Sequence, residues 1–454
     1  MKNIKLSSVY VIPLSFLGAI LIGTILLALP IASADGSWTP LVDALFTATT
    51  SVCVTGLVVV DTFSYWSIFG QVVILLLIQI GGLGVITVVS TLMLVAHKRF
   101  SLSDRLMLRD AMNLDSMAGL LAFLIKVIRG TLIVELAGAL LYMLAFVPRL
   151  GIARGIWVSV FNAVSAFCNA GIDILGPDSL MPYRDDPLIL AVTIMLIVTG
   201  GLGYVVWFDI NSKIMRGEEK RSEPAQIFKS LTEHTKLVLT MTLVLIFAGT
   251  AIILAAEYNN DQTLGALSFP LKLLNSLFES VTFRTAGFAT ISQKGLTDVT
   301  CLAGCILMFI GGSPIGTAGG IKTTTFYFYI LNITSYIRGK NSAQVYKRSV
   351  SAAQMMKATA IVEVSMGTVL VLTMLLVATN PVGLVDGLFE VMSACATVGL
   401  TRGVTPLLNT AGKLIITLAM YLGRIGPISM ALFLAGGIKE ETAVRFPEGN
   451  FFIG

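Results

Sequence analysis

The stretch LFTATTSVCVTGL, residues 45–57, decides the reading of this chain because it recurs. VFNAVSAFCNAGI (160–172), SLFESVTFRTAGF (276–288) and LFEVMSACATVGL (388–400) repeat its Phe, its weakly polar Ser/Thr/Ala-rich middle and its closing glycine. Aligned on Gly56, Gly171, Gly287 and Gly399, the copies stand 115, 116 and 112 residues apart, a regularity that marks a fourfold internal repeat. Each copy lies between two long apolar runs. Backbone that is neither helix nor barrel strand is tolerated at membrane depth only where it is buried in protein or lines an aqueous path. Four such turns around one axis predict a pore.

Composition agrees with a chain solvated by lipid. Hydrophobic residues make up 55% and charged residues 13%, against roughly 25% charge in a soluble domain. The net charge of +5 is spread along the chain and does not gather on one soluble domain, so no nucleic-acid partner is expected. Cys53, Cys168 and Cys395 sit inside the repeated segments, and Cys301 and Cys305 lie one helical turn apart. Their spacing suits neither a disulfide framework nor a metal site, and they read as small apolar residues. His97 and His234 fall at polar helix ends, and the spans hold no His-Glu or paired-Asp motif. Catalysis and a covalent cofactor are therefore not expected.

The apolar runs pair with the repeated segments. They predict an all-α integral membrane protein of four parallel repeats, each a helix, a pore helix, a filter loop and a second helix, around one central pore. The predicted spans are 9–29 and 66–96, 120–146 and 188–209, 237–256 and 299–329, and 355–378 and 413–434. These make eight spanning helices of roughly 20 residues or more. The repeats take residues 1–100, 101–222, 223–348 and 349–454, the last with a cytoplasmic tail. The run at 9–29, with Lys2 and Lys5 before it, is too long for a signal peptide. The first pore helix is expected to open at Thr39-Pro40, with Thr as cap and Pro at the first helical position.

Two spans per repeat put both termini and the inter-repeat loops on one side. Lys98, Arg99, Lys213, Arg216, Lys220, Arg338, Lys347 and Arg348 fall there, which marks that side as cytoplasmic. In or beside the pore segments stand Asp35, Asp43, Asp61, Asp173, Asp178, Asp185, Asp186, Glu257, Asp261, Glu279, Asp298, Asp386 and Glu390. A vestibule rimmed by carboxylates concentrates cations at its entrance.

A dehydrated monovalent cation needs rings of oxygen atoms, and backbone carbonyls supply them without a full charge that would trap the ion. Turning successive carbonyls inward takes φ above zero, which glycine reaches without steric cost. The carboxyl end of each pore helix adds a partial negative charge at the axis. The candidate filter is Val54, Thr55 and Gly56; Asn169, Ala170 and Gly171; Thr285, Ala286 and Gly287; and Thr397, Val398 and Gly399. Its ion ligands are the carbonyls of Cys53, Val54, Thr55, Cys168, Asn169, Arg284, Thr285, Ala396 and Thr397.

A second feature follows each filter: Gly81-Gly82-Leu83-Gly84, Gly200-Gly201-Leu202-Gly203, the run from Gly311, and Gly423-Arg424-Ile425-Gly426-Pro427. The first two copies read as close helix packing through small residues. The third, GGSPIGTAGGIK (311–322), carries five glycines and one proline, too many breakers for a continuous helix. It is expected to form an intramembrane gate loop of Gly311, Gly312, Ser313, Pro314, Ile315, Gly316, Thr317, Ala318, Gly319 and Gly320. Lys322 and Arg424 would each cost roughly 2.5 to 3.5 kcal/mol at the bilayer centre if unsatisfied, so they must face protein or water. Arg424 can anchor the loop by donating to its carbonyls. Pairing with Glu363 or Asp209, or snorkelling of Lys322, is the structural alternative.

With these motifs in view the chain resembles the Trk/Ktr/HKT superfamily of potassium transporters, most closely the membrane subunit of bacterial Ktr-type uptake systems. The resemblance covers essentially the whole chain. It rests on the four filter glycines, the GGLG pair, GGSPIGTAGGIKTTTF, the run LGRIGP at 422–427 and the closing RFPEGNFFIG at 445–454. It implies potassium uptake across a bacterial plasma membrane (the inner one in a Gram-negative cell), a homodimer with one pore per subunit, and a cytoplasmic nucleotide-binding ring. Val54-Thr55-Gly56 and Thr397-Val398-Gly399 also resemble the potassium-channel filter. Sodium stimulates uptake in many members, as activator or coupled ion. A sodium-translocating or sodium-coupled symporter of the same fold is the alternative, although relatives that prefer sodium carry Ser at the position of Gly56. Two departures stand out: Phe278 to Gly287 is one residue shorter than Phe46 to Gly56, and Pro314 stiffens the loop. No stretch outside the membrane has room for a sensing domain, which takes roughly 50 residues or more. A regulatory partner is therefore expected to dock on Lys213, Arg216, Lys220, Arg221, Arg338, Lys340, Lys347, Arg348 and the carboxyl-terminal tail.

Overall fold

A computed structural model describes residues 8–95, 106, 119–216, 224–339 and 343–426 of the chain. Among them the strands are Gln344–Val345 and Arg348–Ser349, one antiparallel hairpin, and the rest of the regular structure is helical. Four helices are long and apolar enough to cross a bilayer: Tyr10–Ala28, Leu120–Leu150, Glu233–Glu257 and Ala352–Thr379. Each is the outer helix of one quarter of the chain. Their exposed faces are bare hydrocarbon, as at Leu21, Ile22 and Ile25, Leu132, Ile133 and Leu136, or Leu370, Val371 and Met374.

A half-length helix follows each outer helix: Leu41–Val52, Ile152–Cys168, Phe269–Thr282 and Leu384–Cys395. The Phe shared by the four repeats, at Phe46, Phe161, Phe278 and Phe389, is fully buried in every copy. Between protein and lipid there is little hydrophobic drive, so these rings hold the bundle through close packing. An inner helix completes each quarter: Ile68–Leu83, Pro187–Leu202, Asp298–Phe309 and Thr410–Ile425. The inner helix of each quarter packs on the half-helix of the next, and that of the fourth on Leu41–Val52 of the first. This cyclic order closes the four quarters around one axis.

Three expectations need correction. The spans expected at 66–96 and 188–209 are not continuous: Ile68–Leu83 and Val85–Thr91 meet at 98°, and Pro187–Leu202 and Tyr204–Ile214 at 97°. The cause is the last glycine of each GGLG, where Gly84 and Gly203 take φ of +87° and +88°. Close packing does explain the first glycine of the motif, since a Cβ on Gly81 or Gly200 would strike the carbonyl oxygen of Val52 or Phe167. Thr39 is not a helix cap. Pro40 takes the capping position without a side-chain bond, and Thr39 Oγ1 instead pairs with the Tyr65 hydroxyl at 3.2 Å. In the fourth quarter the helix ends at Ile425 and Gly426 has φ +92°; residues 427–434, expected to continue it, lie outside the described residues, as do Lys2, Lys5, His97, Lys98, Arg99, Lys220, Arg221, Lys340 and the tail.

Candidate functional site

The four half-helices end at one place. Each runs into a turn in which two residues carry positive φ: Val54 and Gly56, Asn169 and Gly171, Thr285 and Gly287, Thr397 and Gly399. The glycines were expected to do this; the residues two before them were not. A β-branched Val or Thr in the left-handed region costs about 1–3 kcal/mol and persists only where the surroundings over-determine it. What imposes it here is the ring. A Cβ on Gly56 would lie 2.5 Å from the Ala170 carbonyl oxygen and 3.1 Å from Gly399 Cα. One on Gly171 would strike the Ala286 oxygen, one on Gly287 the Val398 oxygen, and one on Gly399 the Thr55 oxygen. Every glycine thus abuts the backbone of the following quarter.

The turns are tied to their own half-helices in the same way. Thr55 N–H donates to Thr50 O, Ala170 N–H to Ser165 O and Val398 N–H to Ser393 O, each at 2.8 Å. In the third quarter Ala286 N–H donates to Thr282 O at 2.9 Å, one residue tighter, which absorbs the shorter spacing there. The hydroxyl at this position also serves the turn. Gly56 N–H donates to Thr50 Oγ1 and Gly399 N–H to Ser393 Oγ, both at 3.0 Å, and Thr282 Oγ1 donates to Phe288 O at 2.7 Å. Counted four residues on from the shared Phe, Thr50, Ser165, Thr282 and Ser393 fall at one position in all four copies, although Ser165 Oγ has no hydrogen-bond partner among the described residues.

Outside the ring lies a vestibule of about 420 Å³ lined by all four glycines. Of the carboxylates placed there from the sequence, Asp61, Asp173 and Asp178 line it. Others are occupied elsewhere: Asp43 pairs with Lys413 at 2.5 Å, Asp186 with Arg149 at 2.5 Å and Asp386 with Arg402 at 3.0 Å, while Glu257, Glu279 and Glu390 are buried. Burial pushes the Asp173 carboxyl up to about 6, and Asp61 acts in the same direction. Hydrogen bonds from Ser179 Oγ at 2.6 Å and Leu175 N–H at 3.1 Å oppose the rise.

Beneath the ring runs the glycine-rich loop, entered from Asp298–Phe309 and left through Thr323–Ile337. It touches the second and fourth quarters directly and is joined to the first through Arg424. Ser313 N–H and Thr317 N–H donate to Gly201 O at 2.9 Å and Gly200 O at 3.1 Å, and Tyr204 N–H donates to Ile315 O at 2.9 Å. Thr317 Oγ1 donates to Phe167 O at 2.9 Å, under the second turn. Gly319 N–H donates to Thr285 Oγ1 at 3.2 Å, under the third. A Cβ on Gly319 would strike Thr397 Oγ1, under the fourth. Arg424 donates from Nη1 to Thr317 O at 2.7 Å and from Nη2 to Gly81 O at 2.5 Å, joining the loop to the break in the first quarter.

Lys322 pairs with neither Glu363 nor Asp209. Its Nζ donates to Ala318 O at 2.6 Å within the same loop, and Asp209 accepts from Thr232 N–H and Oγ1, both at 2.9 Å. From the sequence Arg284 offers the filter only its carbonyl. Its buried guanidinium donates from Nη2 to Gly311 O at 3.2 Å, at the start of the loop. Beside the loop a cavity of about 260 Å³ is lined by Gly319, Gly320, Lys322, Lys357, Ala396 and Arg424 among others.

A family profile described as TrkH, cation transport protein, matches residues 13–442. The chain is 37% identical over 455 residues to the potassium/sodium uptake protein NtpJ of Enterococcus hirae, covering 99% of this chain and 98% of that one. It is 37% identical over 454 residues to Ktr system potassium uptake protein B of Bacillus subtilis, covering 100% and 98%. Its fold matches the crystal structure of the potassium transporter TrkH from Vibrio parahaemolyticus with a TM-score of 0.72 at 16% identity, over 96% of this chain and 86% of that one. The chain belongs to the TrkH family of cation transport proteins.

Proposed function

We propose that this protein takes up potassium across a bacterial plasma membrane through a filter made by residues 54–56, 169–171, 285–287 and 397–399. The observation that carries the reading is the closed ring of four glycine turns, each glycine against the next quarter's backbone. Carbonyls directed to one axis from four half-helix ends supply the neutral oxygen field a dehydrated potassium ion needs. Thr55 Oγ1 and Thr397 Oγ1, buried and without a hydrogen-bond partner among the described residues, leave further oxygen atoms free there. The relatives named for potassium uptake support the choice of ion.

The loop at 311–320 is the gate, and Arg424 and Arg284 hold it shut by donating to its carbonyls. With the inner helices broken at one level, eight spans in four parallel repeats, with both termini in the cytoplasm, remain the topology we propose. Control comes from outside the chain, through a cytoplasmic nucleotide-binding ring and a homodimeric assembly of the kind implied by a Ktr system. Lys213 and Arg216 on the helix Tyr204–Arg216, Arg338 at the end of Thr323–Ile337, and the exposed hairpin at 344–349, whose turn carries Lys347 beside Arg348, are the described part of its docking face. Gly56→Ser tests the filter: potassium uptake in cells lacking their own uptake systems should lose preference over sodium, and unchanged preference sinks the assignment. The Enterococcus hirae relative is named for sodium as well as potassium uptake, so sodium coupling is the second reading. Single-pore currents with and without sodium distinguish the two.

A further inference from the structure

The residue after the shared Phe of each half-helix is Thr47, Asn162, Glu279 and Glu390 in turn, all buried. The two carboxylates have a common use. Glu390 accepts from Thr401 Oγ1 at 2.7 Å and from the Thr405 hydroxyl. Thr401 Oγ1 in turn accepts from the N–H groups of Gly403 and Val404, each at 3.1 Å. Glu390 therefore ends a hydrogen-bond chain that fixes the segment leaving Gly399. Glu279 accepts from Gln293 Nε2 at 2.9 Å on the segment leaving Gly287. Thr401 and Gln293 line the outer vestibule together with the four glycines. The first two quarters lack this tie, and Asn162 has neither amide atom bonded among the described residues.

We infer that Glu279 and Glu390 are positioning residues that set the preference for potassium over sodium, by holding the exits of two of the four filter turns from behind. The inference rests on the filter reading above. Two ions that differ mainly in radius are told apart by where the oxygens stand, and a buried side chain that fixes the exit segment by hydrogen bonds sets where they stand. Without the carboxylate, Thr401 and Gln293 lose the partner that fixes them, and the turns they follow gain freedom to close on the smaller ion.

The test is uptake by the full-length protein in cells, with half-saturation for potassium and for sodium and maximal rate per inserted protein measured separately. Glu390→Ala and Glu279→Ala should each lower the sodium-to-potassium ratio of half-saturation by about tenfold, the worth of one hydrogen bond. The maximal potassium rate should stay within about threefold. Glu390→Gln, which keeps the volume and one acceptor oxygen, should restore part of the ratio. Thr401→Val with Thr405→Val should reproduce the loss, and adding Glu390→Ala to that pair should lower the ratio no further. An unchanged ratio in Glu390→Ala, while Gly56→Ser loses it, overturns the inference and leaves the filter standing; an unchanged ratio in both overturns the filter too. If the Ala variants fail to insert, Thr401→Val decides: a wild-type ratio there overturns the inference.

Discussion

The four turns of the ring and the four breaks beneath them come from the same repeats, yet they have diverged differently. The turns are alike: positive φ at the same two positions in each quarter, and the same contact of glycine with the next backbone. The breaks are not. The first, second and fourth inner helices stop at one glycine each, Gly84, Gly203 and Gly426, whereas the third opens into the loop of residues 310–322. Coordinating an ion on an axis takes matched oxygens from every side. If the loop blocks that axis, a single obstruction is enough, so one repeat can differ while the second and fourth anchor it directly and the first through Arg424.

The sharpest way to break this contrast is to release the loop. Arg424→Ala removes two charged hydrogen bonds, to Thr317 O and Gly81 O, each worth about 1.5–3 kcal/mol. If the loop is a gate, potassium flux per inserted protein should rise by about tenfold to a hundredfold. A loop that only packs predicts lost assembly and lower flux, which quantitative blotting beside flux measurement would reveal.

The turns should answer in the opposite sense. Gly56→Ser adds a Cβ 2.5 Å from Ala170 O at a φ of +101°. Preference for potassium over sodium should fall by about tenfold or more, since left-handed backbone alone costs a side chain about 1–2 kcal/mol. Flux need not rise, and a gain in flux with intact preference would place Gly56 with the gate.

Among the breaks, Gly203 and Gly84 share a φ but not a neighbourhood. A Cβ on Gly203 strikes the Pro314 carbonyl oxygen, while one on Gly84 meets only Thr87 Oγ1 at 3.7 Å. Gly203→Ala should displace the loop and raise flux severalfold, while Gly84→Ala should cost about 1–2 kcal/mol of stability and leave flux within about twofold. Equal effects would mean that the loop does not depend on the second break.

The smallest effect concerns entry. Asp173 is charged above about pH 6 and neutral below it, because burial raises its pKa. Acidifying the outside through pH 6 should weaken uptake from dilute potassium, leave the maximal rate nearly constant, and do neither in Asp173→Asn. The stability consequence has the reverse sign. With the folded value above the unfolded one, the fold is favoured at acid pH, and this contribution is lost as pH rises through about 6.

Much of the site was legible because it is repeated. One glycine after a polar stretch says little; four in register located every turn, and the density of breakers in 311–322 located the loop. The anchor on Arg424 was legible too, because an intramembrane cation must find carbonyls or water. The bends at Gly84 and Gly203 were not, since a GGLG cluster in an apolar run fits packing as well as a break. Nor was the dispersal of the acidic residues, of which three line the vestibule while others pair with Lys413, Arg149 and Arg402.

Local sequence thus determined the elements and their order: outer helix, half-helix, turn and inner helix, four times, with glycine wherever backbone must approach backbone. The tertiary structure alone decided the left-handed φ of Val54, Thr285 and Thr397, whereas Asn169 has a local preference for it, and the guanidinium of Arg284 on Gly311 O. The physical reason is that no local preference favours a β-branched residue at positive φ. Only closure of the ring, which sets residues more than a hundred positions apart against each other, supplies the contacts that hold it there.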